Sequence, residues 1–150
     1  MIQRIQTLYL IIAIGLMVAF FFVPFGYSID TVKSAGAVME QGLTGLNQGL
    51  SLIIPVSLSL LTMAIAIFSF RSLSGQKALI GLSALIIGAC IGVVIYYLTA
   101  GYSDTNTDID IRTVWGGGGL LLIAAEIALL GAYRGVSHDQ KLLRSYDRIR

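Results

Sequence analysis

The sequence predicts an all-α membrane protein: four transmembrane helices in an antiparallel bundle, with a small extracytoplasmic β element drawn from two outer loops. Three observations predict it. The 150 residues are 56% apolar and 12% charged, with mean hydropathy +0.84, whereas soluble domains average about 25% charged residues. The missing charges trace to four long apolar stretches, over 8–25, 50–70, 78–98 and 115–133. Each has about the 17–25 residues needed to cross a hydrocarbon core of ~30 Å as a helix. The basic residues, finally, are distributed unequally between the two sides that such a topology creates. Residues 1–150 read as one unit, because the four spans leave no room for a separate soluble domain.

The first stretch follows Arg4 and contains no charge until Asp30. It is longer than the roughly 7–15 apolar residues of a secretory signal. The small-residue run Ala35-Gly36-Ala37 lies beyond Asp30 and Lys33, far from the apolar end. The first helix is therefore expected to be retained. The second stretch carries Pro55 near its start, where a proline is best tolerated. Its Pro55, Ser59, Thr62, Ala66 and Ser69 project on one side, and the hydroxyls can bond within the helix or across it.

The third stretch has Gly81, Ala84, Gly88 and Gly92 within about 80° on a helical wheel. Gly88 and Gly92 form a GxxxG pair, which permits close approach of helix backbones. Packing inside the bundle is the expected use, and dimerisation the sharper alternative. Cys90, the single cysteine, sits among apolar residues and reads as a packing residue.

The fourth stretch begins Trp115 and Gly116 to Gly119. Without the glycines only 14 residues remain before Arg134, about 21 Å of helix and too short to span. The glycines are therefore expected in or just before the first helical turns. The Lys and Ser/Thr of a phosphate-binding loop are absent. A small stripe of Gly117, Ala124, Ala128, Gly131 and Gly135 runs down this helix. Glu126, a lone intramembrane acid, lies about 200° around from Ala124. An acid at this depth is a functional-site hypothesis by default. No Lys, Arg or His lies within any of the four stretches to pair with it, so a protonated or hydrogen-bonded acid is expected. Helix-two hydroxyls are the nearest candidates by depth. A bundle that turns one face of this helix inward would leave the other for a partner.

The tail over 134–150 places Leu142, Tyr146 and Ile149 at amphipathic spacing. Its Arg134, Lys141, Arg144, Arg148 and Arg150 suit anionic headgroups or a cytoplasmic partner. With Arg4, Arg71 and Lys77, they put eight of the ten basic residues on one side, leaving Lys33 and Arg112 on the other. The positive-inside rule then makes both termini cytoplasmic. Of the outer loops, YSIDTV and TDIDIRTV alternate as short strands do. Asp104, Asn106, Asp108 and Asp110 have a spacing that suits calcium, but Ile109 replaces the required glycine and Trp115 the closing Glu. It reads as a weak metal candidate on an acidic loop. His138 reads as an ordinary exposed histidine.

MIQRIQTLYLIIA at the start and KLLRSYDRIR at the end, with FFVPF and FRSLSGQKAL between them, resemble an uncharacterised bacterial family of four-helix integral membrane proteins, a domain-of-unknown-function family. The resemblance covers essentially the whole chain. It implies a multi-pass inner-membrane topology and no stated activity.

The functional expectation is a non-enzymatic accessory or scaffold subunit, with no cofactor and no nucleic-acid partner. Membrane lipid and other membrane-protein subunits, or self-association, are the expected contacts. The alternative is a small channel or proton-coupled carrier that uses Glu126. An enzyme is disfavoured because one His, one Cys and one intramembrane acid lie far apart in sequence.

Overall fold

The computed structural model describes residues 2–32, 37–46, 50–69, 72–99 and 109–147. Four helices are long and apolar enough to cross a membrane, and the chain is a multi-pass membrane protein. Helix α1 is Ile2–Phe22, α2 is Leu50–Phe68, α3 is Leu73–Thr99 and α4 is Gly118–Asp147. Strands β1 (Gly26–Val32), β2 (Ala37–Leu43) and β3 (Ile109–Trp115) form one antiparallel sheet in the order β2-β1-β3.

Local chemistry accounts for the differences from the expected boundaries. Helix α1 stops before residue 25 because Pro24 has no amide hydrogen and disfavours helix at Val23. Helix α3 starts five residues earlier than its apolar run. Ser72 caps it, its Oγ accepting the Gly75 amide at 3.1 Å. Trp115 ends β3 rather than starting the fourth helix. Helix α4 continues through Arg134 to Asp147 without a break, so the tail as far as Asp147 is its extension and not a separate helix, and Ile149 lies outside the described residues. At about 1.5 Å per residue its 30 residues reach roughly 45 Å, well beyond the hydrocarbon.

Both alternating segments are strands, Ile29 of β1 facing Arg112 of β3 across the ladder. Strand β2 was not anticipated. AVMEQGL has weak strand propensity and is held by its pairing with β1, Ile29 opposite Glu40. The sheet thus ties the two outer loops together.

Helix α1 packs along α4, α4 along α3, and α3 along α2, with a lighter α1–α2 contact. Leu10, Met17, Phe20, Met63, Ile80, Ile87, Leu122 and Leu129 are fully buried between them. Phe20 stacks on Phe25 with centroids 5.9 Å apart, plugging the bundle beneath the sheet. At the opposite end, Gln6 Nε2 of α1 donates to Asp139 Oδ2 of α4 at 2.6 Å. Residue 6 and residue 139 therefore share the end away from the sheet, as an even number of spans requires.

The α2–α3 seam carries hydroxyls. Thr62 Oγ1 and Ser83 Oγ are 2.8 Å apart and buried. Each also contacts a carbonyl on its own helix, Ser59 O at 2.9 Å and Leu79 O at 2.9 Å. Two protons serve three contacts, so one contact is shared. This polar face of α2 meets the Ser83 face of α3, not the glycine stripe of that helix.

Candidate functional site

Helix α4 lies between two neighbours, and its two contrasting faces go to different ones. A Cβ on Gly131 would stand 3.2 Å from the Tyr9 ring, and one on Gly135 2.9 Å from Gln6 Cγ. The small stripe therefore seats α1, with Ala128 buried as well. The side almost opposite carries Gly119, Glu126 and Tyr133, seven residues apart and so two turns apart. Tyr133 meets α3: its ring lies under Lys77 Nζ at 5.0 Å and against Gly81, 4.0 Å from where a Cβ would stand. Gly119 faces α3 as well, lining a cavity with Ile91, Val94, Ile95 and Leu98. The expectation that only one face turns inward is corrected. Both are seams, because α4 has a helix on each side.

Glu126 sits midway along the α3 seam. The helices run antiparallel there, Tyr133 pairing with Gly81. Two helical turns on from that pair, antiparallel periodicity brings Glu126 to about the depth of Gly88. Glu126 is half-buried, and its Oε2 is buried without a hydrogen-bond partner among the described residues. Of the helix-two hydroxyls expected to meet it, Ser59 donates to Val56 O at 2.8 Å and Thr62 meets Ser83 at 2.8 Å. Lys77 of α3 lies on Tyr133, about two turns along the seam from Glu126. A buried polar oxygen left unpaired costs about 1–3 kcal/mol, more if charged.

The glycine stripe of α3 divides. Gly81 faces Tyr133 and Ala84 packs against the core. Gly88 and Gly92 are exposed, with nothing within 4 Å of where a Cβ would stand. For this GxxxG pair the expected packing inside the bundle is corrected. The inward face of α3 is Ile80, Ser83, Ile87, Cys90 and Val94, so the pair falls outside the core.

The remaining candidates are dispersed. Asp104, Asn106 and Asp108 lie outside the described residues, and Asp110 belongs to β3, opposite Thr31. Among the described residues no three His, Cys, Asp or Glu side chains converge as a metal site would need. Arg134 and Lys141 are exposed on the extension of α4. Arg144 is on the same helix, while Arg148 and Arg150 lie outside the described residues. His138 is exposed. Sequence reasoning missed the Gln6–Asp139 bond, which joins residues 133 positions apart. Polar residues at the two chain ends were its only signal.

No curated protein matches the chain. A family described as a domain of unknown function (DUF4293) matches residues 2–149. With that match spanning almost the whole four-helix chain, the protein belongs to the DUF4293 family.

Proposed function

We propose that this protein is a non-enzymatic accessory subunit of a membrane complex. It resides in the bacterial inner membrane with both chain ends cytoplasmic. What supports this reading is the Glu126 Oε2, buried without a hydrogen-bond partner among the described residues, together with the open Gly88–Gly92 pair on the neighbouring helix. A lone acid in hydrocarbon is stabilised when a neighbouring helix supplies a donor. Paired glycines are the usual means of letting that helix approach. The complementary partner is a transmembrane helix that brings a hydroxyl, amide or basic side chain to the level of Glu126. The orientation rests on Lys77, Arg134 and Lys141, which cluster at the end away from the sheet.

Affinity purification in mild detergent tests this. The wild type is expected to retain a reproducible partner, and Glu126→Ala and Gly88→Leu each to lose it. A monodisperse monomer with no reproducible partner overturns the reading.

A further inference from the structure

The sheet end of the α3–α4 seam encloses an apolar cavity of about 210 Å³. Its floor includes Phe25, Leu98 and Leu122, all buried, and its lip includes Ile95, Trp115 and Ile123, all exposed. Gly119 opens it, since a Cβ there would have nothing within 4 Å. The lining is almost wholly apolar and carries no charged side chain.

We propose that this slot binds one acyl chain of a phospholipid from the leaflet on the sheet side. Four considerations select that occupant. Apolar cavities of roughly 150 Å³ stay dry yet accept a hydrocarbon guest. A lining with no charged group offers nothing to a headgroup. An extended alkyl chain is slender and needs no hydrogen-bond partner, which suits a slot with this lining. The exposed lip lies at the ends of two spans, where the hydrocarbon meets the headgroup region. Trp115 there is the residue type that marks the membrane interface. The slot is separate from Glu126 and the Gly88–Gly92 pair, and its occupancy does not depend on a partner subunit.

The test uses the full chain purified and reconstituted in phosphatidylglycerol vesicles, the lipid carrying a photoreactive diazirine in one acyl chain. After irradiation, labelled residues are mapped by mass spectrometry. Ile95 and Ile123 are expected to label above Leu85, which is 75% exposed on α3 and reports bulk lipid. Gly119→Leu places a side chain in the slot. It is expected to lower labelling at Ile95 and Ile123 by about tenfold, leaving Leu85 unchanged. Equal labelling of the three sites in the wild type overturns the proposal, as does undiminished labelling in folded Gly119→Leu. Should Gly119→Leu fail to fold, the wild-type labelling ratio decides alone.

Discussion

Gly118 donates its amide to the carbonyl of Pro24 at 2.9 Å, and a Cβ on Gly118 would stand 2.8 Å from that same oxygen. Gly116 repeats the relationship one step earlier, bonding Phe25 O at 2.8 Å with a virtual Cβ 2.7 Å from Pro24 O. The start of α4 is thus laced to the chain leaving α1, backbone against backbone. Virtual Cβ atoms on Gly117 and Gly119 meet nothing within 4 Å. The four consecutive glycines therefore divide into two that need to be glycine and two that do not.

This division predicts opposite responses within one run. Gly116→Ala and Gly118→Ala should each destabilise the protein by about 1–3 kcal/mol, because rigid backbone atoms must move. Gly117→Ala and Gly119→Ala should be neutral or stabilise by up to roughly 1 kcal/mol through reduced chain entropy. Thermal unfolding in detergent measures all four. Equal losses at the four sites would show that the glycines act through flexibility and not close approach.

A second prediction concerns the hydroxyl pair inside the bundle. Thr62→Val and Ser83→Ala should couple in a double-mutant cycle by about 0.6 kcal/mol, within the 0–2 kcal/mol range of interhelical bonds in membranes. Strict additivity would indicate that each hydroxyl is satisfied by its own helix, through Ser59 O and Leu79 O.

Glu126 provides the third. Glu126→Leu removes an unpaired buried oxygen, so the isolated protein should be unchanged or more stable by about 1–2 kcal/mol. The same change should abolish partner retention. A buried acid that satisfied an internal need would behave oppositely, losing stability by several kcal/mol on truncation. Vesicles reconstituted with the protein alone should show no proton flux that depends on Glu126. A carrier would show flux in the wild type that Glu126→Gln removes.

The fourth concerns the α1–α4 seam. Gly131→Leu would drive a branched side chain into the Tyr9 ring, already 3.2 Å from a bare Cβ. A loss of about 1–3 kcal/mol is expected. Gly92→Leu, at an open position of similar helical context, should leave thermal stability of the purified chain nearly unchanged. The pair separates internal packing from the open face of α3.

Much of the architecture was legible in the residues. Four apolar stretches of spanning length specify four helices, because lipid leaves the backbone no other way to satisfy its hydrogen bonds. Alternation marked β1 and β3. Strand β2 was illegible, since AVMEQGL takes its conformation from the edge of β1 and not from its own residue types. The extent of α4 was obscured because the chain turns polar at Arg134 and then runs through the weak helix formers Gly135, Ser137 and Asp139, so no local signal marks its continuation.

For the candidate site, sequence alone determined that Glu126 is a lone acid opposite a stripe of small residues. Periodicity within one helix is a local property, and it set those two faces. Only tertiary structure decided that Gly131 and Gly135 meet α1, that Tyr133 meets α3, and that Gly88 and Gly92 face open space among the described residues. Which neighbour a face receives depends on the order of helices around the bundle. That order is settled by contacts between residues far apart in sequence, such as Gln6 with Asp139 and Pro24 with Gly118.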